Sequence, residues 1–201
     1  MEVIKKVLQT LNKLSFLKDK CLRNHHRNVY QYSLTIASLV DLPKRSHKTI
    51  QQAALLHDIG KIGIPNRILF KPANLTYAEW QIMMLHPVTG AELLSADLFG
   101  NDVVEAVRHH HERWDGTGYP DRLAGENIPL PARVIAVADA YDAMTVNRPY
   151  KKMLTKRQAL EEIARCAGTQ FDPELAGIFV SLMMDPKYSE DQYGKQSFTI
   201  G

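Results

Sequence analysis

Cysteine is nearly absent: Cys21 and Cys166 are the only two in 201 residues, so the chain permits one disulfide at most. Met1 opens directly into a charged, amphipathic stretch with no secretory signal, and a reducing cytoplasm is the expected setting. Long apolar runs are missing as well. The longest, such as IAVADAY, are too short and too interrupted to span a bilayer, which argues against membrane insertion. Strand-like alternation of useful length, internal repeats and low-complexity segments are all lacking. Neither sign of charge dominates: 25 Lys and Arg stand against 22 Asp and Glu, a net of +3. That balance suits an anionic small ligand and is far too weak to indicate a nucleic-acid polymer as partner.

What remains is a helical pattern over a chain that is 45% hydrophobic, enough for one sizeable core. Ile4, Val7, Leu8, Leu11 and Leu14 recur at helical spacing between lysines. Leu22, Val29, Ile36 and Val40 predict a second helix that ends near Pro43, and Ser46 is placed to cap a third, stopped by Gly60. Thr76 to Glu79 has the form of a capping box, and the helix it opens is interrupted by Pro87. Asn101 or Asp102 opens the helix that runs into His109, His110 and His111. A Gly/Pro-rich loop follows from Gly116 to about Pro131, then an alanine-rich helix from Ala132 to about Met144. Thr155 with Gln158, and Asp172 with Pro173, predict two more helix starts. The expected architecture is all-α, a single-domain helical bundle. Its divisions are a connector helix over 1–20, the domain over 21–185 and a polar tail over 186–201.

Helical residues advance about 100° each, so three adjacent histidines cannot share a face. Val103, Val104 and Val107 define the apolar direction of their helix. His110 and His111 then flank the apolar centre, while His109 falls on the side of Glu105 and Asp102 and is expected to face water. By the same geometry His25 lies on the stripe of Leu22, Val29 and Ile36, and His57 follows Ile50, Ala53 and Ala54. Asp58 comes one turn after Ala54 and leans inward. His86 precedes Pro87, at a helix break. Asp139 sits in the apolar helix RVIAVADAYDAM, where an unpaired carboxylate would be costly to bury.

A single inward histidine is ordinarily a hydrogen-bonded core residue. Five of them with two inward aspartates would each need a separate partner, whereas a shared metal centre satisfies all seven. Imidazoles mixed with carboxylates suit Mn, Fe, Co, Ni or Zn rather than Mg or Ca. Seven ligands exceed what one ion normally takes, so two ions bridged by a carboxylate fit the set better.

The stretches HDIGKIGIP (His57 to Pro65) and HHERWDGTGYP (His110 to Pro120) closely resemble the HD-GYP family. This is a branch of the HD superfamily of metal-dependent phosphohydrolases, and its members hydrolyse cyclic dinucleotides, chiefly cyclic di-GMP. The resemblance runs from about residue 21 to about 180 and takes in ILFKPANLTYAEW, HPVTGAELL, IPLPARVIAVADAYDAMT, RPYKK and FDPEL. It implies an HD-type helical bundle in which His25, His57, Asp58 and Asp139 hold one metal. His86, His110 and His111 would hold the second, with Asp58 bridging. Fe or Mn is the implied metal, with Ni, Co and Zn open. Lys61 matches the lysine near the scissile phosphate, Arg148 and Lys151 the phosphate-binding pair, and Tyr119 a residue of the loop that shapes the site. Trp114, Tyr119 and Tyr150 are candidates for stacking on guanine.

The sequence departs from the family pattern at Cys21, where some members carry a glutamate supporting a third metal, and at Asn28, Asn66, Asn147 and Gln170. None of the last four is an expected ligand. The implied reaction uses a hydroxide between two ions about 3.5–4 Å apart to attack a phosphodiester in line with the leaving 3′ oxygen, giving pGpG and/or GMP. Two alternatives stand beside it: hydrolysis of another cyclic dinucleotide or a nucleotide, and a non-catalytic module that binds a cyclic dinucleotide. The amphipathic first helix is where a sensory or receiver domain, or a second copy of the chain, would dock.

Overall fold

A computed structural model describes residues 20–40, 42–146 and 153–185, with only the backbone described over 20–23. The predicted first helix, the polar tail, Arg148, Tyr150 and Lys151 lie outside these residues, as does the side chain of Cys21. Ten α-helices follow one another along the described chain. They are α1 (Lys20–Ala37), α2 (Lys44–Leu56), α3 (Asn66–Leu69), α4 (Tyr77–Met83), α5 (His86–Leu93), α6 (Ala96–Phe99), α7 (Asn101–His109), α8 (Leu130–Thr145), α9 (Lys156–Arg165) and α10 (Pro173–Met184). Short 3-10 turns occupy Ile59–Gly63 and Gly125–Asn127. Among the described residues there is no strand, only an isolated bridge between Ala167 and Phe171. The all-α expectation is met.

Side-chain caps set three of the helix starts. Thr76 accepts from the Glu79 backbone N–H while the Glu79 side chain accepts from that of Thr76, and Thr155 and Gln158 repeat the arrangement. The Asp172 side chain accepts from the backbone N–H groups of Glu174 and Leu175. Ser46 does not cap α2. That helix starts two residues earlier, with extended Pro43 at its N-cap. Pro87 does not simply interrupt the chain after α4; it sits in the first turn of α5, where a missing N–H costs no hydrogen bond. α1 stops at Ala37, so Val40 falls in the following bend rather than on the helix.

The helix α8 joins the two halves of the core. Val134, Val137 and Tyr141 pack with Ile36, Ile50, Leu160, Ile163 and Phe179. Ile135 and Ala138 pack on the other side with Val29, Ala53, Leu56, Val103 and Val107. Small alanines let α1 and α2 approach α8 closely, and this brings residues of α1, α2, α7 and α8 to one centre. The turn after α2 is pressed onto α5. A Cβ on Gly60 would lie 1.9 Å from the His86 carbonyl oxygen and 2.5 Å from the Gly90 nitrogen. Among the described residues no helix is long and apolar enough to cross a membrane.

Gly60→Ala should therefore separate the turn from α5 and cost roughly 1–3 kcal/mol as an overpacking change. Urea unfolding reads this directly, and an unchanged midpoint would show that the contact is not needed.

Candidate metal centre

The inward residues arrive mostly from helix ends. His25 comes from the middle of α1, His57 and Asp58 from the end of α2, and His86 from the start of α5. His110 and His111 follow the last residue of α7, and Asp139 comes from α8. α2 and α7 present their C-terminal ends, where the helix dipole is negative and favours a cation. α7 ends at His109, so His110 is its C-cap and His111 lies in the turn beyond. Both rings nevertheless point where the helical spacing placed them.

Ring hydrogen bonds fix which nitrogen faces the centre. The Nδ1 atoms of His57, His86 and His110 lie 2.9, 2.7 and 2.7 Å from the carbonyl oxygens of Ala54, Met83 and Val107. A carbonyl only accepts, so each Nδ1 carries a proton and each ring turns its Nε2 inward. His25 donates from Nδ1 to Asp142 Oδ2 at 2.6 Å. The inward Nε2 of His86 then stands 3.3 Å from Nε2 of His110 and 3.2 Å from Nε2 of His111. The Nε2 of His57 is buried without a hydrogen-bond partner. Ring nitrogens this close require either a proton or a cation between them. Tying the outer ring nitrogen to a carbonyl or carboxylate is how metal-binding histidines are ordinarily oriented.

Asp58 lies between the rings. Its Oδ1 is 3.4 Å from His86 Nε2, and its Oδ2 is 3.5 Å from the Nε2 atoms of both His25 and His57. Lys61 Nζ is 2.6 Å from the same Oδ2. Asp139 Oδ1 stands 3.3 Å from His25 Nε2. Six of the seven fall into two groups whose donor atoms are close enough to hold a metal ion: His25, His57 and Asp58, and His86, His110 and His111. The rings of His57 and His110, 5.2 Å apart, join them. All seven residues expected to bind metal are thus brought together, and the mixed imidazole and carboxylate set fits a divalent transition metal.

Protonation states agree with that use. Burial, with repulsion from His57 and His86, pushes His110 down to about 3. Burial and the neighbouring rings also hold His57 and His111 below the ordinary imidazole value. Burial alone would raise the Asp58 carboxyl, but Lys61, His57, His25 and His86 hold it well below the carboxylate range. His25 differs. Burial opposes its proton, but Asp142, Asp58 and Asp139 together raise it to about 9.

Around this centre, Tyr119 stacks on His111 with ring centroids 5.0 Å apart and meets Trp80 edge-on at 6.5 Å. The Arg133 guanidinium covers Trp114, 5.7 Å from the ring centroid, so that ring already has a partner. A concavity beside the clusters is lined by His110, His111, Asp139 and Gln170.

One expectation fails. His109 does not face water: it is 5% exposed, its Nδ1 donates to the Glu105 carbonyl, and its Nε2 lies 2.9 Å from Asp121 Oδ2. The loop after α7 folds back over the outer face of the helix and covers the ring. Sequence reasoning also missed Asp142, which holds His25 and accepts from Asn28 Nδ2 at 2.7 Å. Its position three residues after Asp139, on the same side of α8, was the available signal.

A family model described as "HD domain" matches residues 9–175, and the chain belongs to the HD-domain family. Its ordered motifs resemble those of the HD-GYP branch of that family. It is 41% identical over 181 residues to a cyclic di-GMP phosphodiesterase of Thermotoga maritima, covering 88% of this chain and 48% of that protein. It is 39% identical over 158 residues to 3′3′-cGAMP-specific phosphodiesterase 2 of Vibrio cholerae, covering 78% of this chain and 30% of that one. The chain therefore spans half or less of the length of these relatives. Its fold matches the cyclic GMP-AMP specific phosphodiesterase V-cGAP3 of V. cholerae with a TM-score of 0.65 at 19% identity, over 85% of this chain and 47% of that one.

The metal-free chain should be most stable near pH 6.5. His25, raised from 6.5 to about 9 on folding, stabilises the fold fully below pH 6.5 and loses that contribution as pH rises through about 9. His26 and His110, both lowered to about 3, are neutral when folded, so stability falls as pH drops below 6.5. Thermal unfolding of chelator-treated protein across this range checks both limbs, and a midpoint that changes in one direction only would contradict the account.

Proposed function

We propose that this chain is the hydrolytic part of a metal-dependent phosphodiesterase that opens cyclic di-GMP to pGpG and/or GMP. The observation that carries the reading is Asp58, whose two oxygens reach separate histidine clusters. The names of the two curated relatives supply the substrate class. We assign His25, His57, Asp58 and Asp139 to one ion and His86, His110 and His111 to a second, bridged by Asp58. Fe or Mn is the preferred metal, with Ni, Co and Zn as alternatives. Such ions, when bound, supply Lewis acidity and lower the pKa of water to near neutrality.

The chain's own residues do the rest. Lys61, a quarter exposed and anchored on Asp58, is placed to hold a phosphoryl oxygen as charge builds on it. Tyr119, stacked on His111, walls the site and orients the dinucleotide. Arg148 and Lys151 are assigned to the other phosphate on the strength of the RPYK motif, with arginine supplying the two-pronged grip. In the reaction a P–O bond to water forms, the P–O3′ bond breaks, and the 3′ oxygen takes up a proton.

We place this activity in the cytoplasm, with residues 1–20 as a connector, 21–185 as the hydrolytic domain and 186–201 as a tail. The part of the relatives that this chain does not cover leaves room for a sensory or receiver domain, or a second copy, joined through the connector. A second substrate, the mixed guanine–adenine cyclic dinucleotide, is supported by the relative named for 3′3′-cGAMP. A purely binding role is the less favoured reading, because all seven ligand positions are intact.

Anaerobically purified protein should carry transition metal and turn over cyclic di-GMP with that metal, the products being separated by chromatography beside a 3′3′-cGAMP reaction. Asp58→Ala should empty both clusters and abolish hydrolysis together, and retained activity in a metal-replete sample would sink the mechanism. Asp142→Asn should weaken metal binding by about 10–100-fold, as loss of an orienting carboxylate does elsewhere. Titration of the metal into the apo chain measures it, and an unchanged affinity would remove Asp142 from the assignment.

A further inference from the structure

A second convergence of donors lies at the end of α7, beside the turn that carries His110 and His111. His109, Glu112 and Asp121 each offer an atom within 4.8 Å of the others. The ring of His109 shows the same orientation as the metal-facing histidines: Nδ1 is committed to a backbone carbonyl, that of Glu105, at 2.9 Å. Its Nε2 therefore carries a lone pair in the neutral ring, and that lone pair faces the Asp121 carboxylate at 2.9 Å. Two acceptors at hydrogen-bond distance require either a proton or a cation between them.

Glu112 separates these two solutions. It is 3% exposed, and its Oε1 accepts from the Asp121 backbone N–H at 2.7 Å. Its Oε2 is buried with no hydrogen-bond partner. A proton on His109 Nε2 satisfies Asp121 and leaves this oxygen unanswered, whereas a cation answers both. Charge points the same way. Glu105, Glu112 and Asp121 bring three carboxylates to the region, and Glu105 Oε2 lies 3.3 Å from His109 Nδ1. Against them stands Arg108, which forks Asp121 through Nε at 2.7 Å and Nη2 at 2.9 Å. The carboxylates outnumber the one guanidinium that meets them.

We propose that His109, Glu112 and Asp121 form a further metal site, for a divalent transition-metal ion such as Zn or Mn, that fastens the loop after α7 to the helix end. One imidazole nitrogen with two carboxylates is a donor set for these ions rather than for Mg or Ca. Asp121 is two residues beyond Tyr119, whose ring stacks on His111. Gly118, just before Tyr119, lies so close to the helix end that a Cβ there would come within 2.4 Å of the Arg113 nitrogen and 2.6 Å of Glu112 Cα. An ion at this site thus holds the loop, and with it Tyr119, against the histidine cluster. The proposal rests on no assignment of metals to that cluster.

The test uses Asp121→Asn, which keeps the shape of an exposed side chain, alone and combined with Asp58→Ala. Each full-length protein is stripped, reloaded with Zn, freed of excess by gel filtration and assayed for bound metal. Circular dichroism confirms that each is folded. Asp58→Ala is expected to retain one equivalent of zinc and the double variant to lose it, while Asp121→Asn alone binds one equivalent less than the unsubstituted chain. Limited proteolysis of the loop over 116–129 should be slowed by zinc in Asp58→Ala and unaffected by it in the double variant. Equal zinc content with and without Asp121→Asn in both backgrounds would overturn the proposal and leave His109 and Asp121 as an ion pair. If Asp58→Ala retains all its metal, the assignment of the histidine clusters fails, while the Asp121→Asn difference still decides this site.

Discussion

Rings whose outer nitrogens are tied to the backbone, and whose inner lone pairs meet around one buried carboxylate, set the terms for the rest of this fold. His57, His86 and His110 each bond the carbonyl three residues before them, so their orientation is built into the helix ends that carry them. His25 is held across 117 positions of sequence by Asp142. The four helices that meet here can approach closely because alanines line α2 and α8 where they touch. Gly60 then allows α5 to bring His86 against the turn that follows Asp58. Each feature serves the same geometric requirement, that imidazole nitrogens from distant segments converge.

Such convergence is unfavourable for the protein alone. Neutral rings are buried with their lone pairs opposed, and one of them, His25, gains a proton through its carboxylate neighbours. A bound cation replaces that proton and removes the repulsion, so binding and folding draw on the same free energy. Lys61 reaches from the buried carboxylate toward solvent, and Tyr119 comes from a loop whose position depends on what it contacts.

Much of this was legible in the sequence. The apolar stripes place His25 and His57 inward, and the rotation set by Val103 and Val107 separates His110 and His111 from His109, although the helix ends at His109 itself. The capping boxes at Thr76 and Thr155 were equally plain, because every contact in them is local. Three features escaped. Ser46 resembles a cap, but the extended backbone at Pro43 starts the helix first. Asp142 finds its partner on a helix far away in sequence, so its place one turn after Asp139 marks it as inward without naming His25. Helical spacing places His109 toward water, but it describes a helix and not the loop that folds over it, which buries the ring against Asp121. The motifs of the HD-GYP family supplied the chemistry, and the folded chain supplied the orienting groups around it.

The most direct test of the converging lone pairs is a crystal structure of the metal-loaded chain with anomalous data collected at the absorption edge of the bound metal. The account predicts two peaks on either side of Asp58, about 3.5–4 Å apart, as in other two-metal sites. One peak should be within bonding distance of His57 Nε2 and the other of His86 Nε2. A chain loaded to full metal content with no anomalous peak near either nitrogen would contradict it.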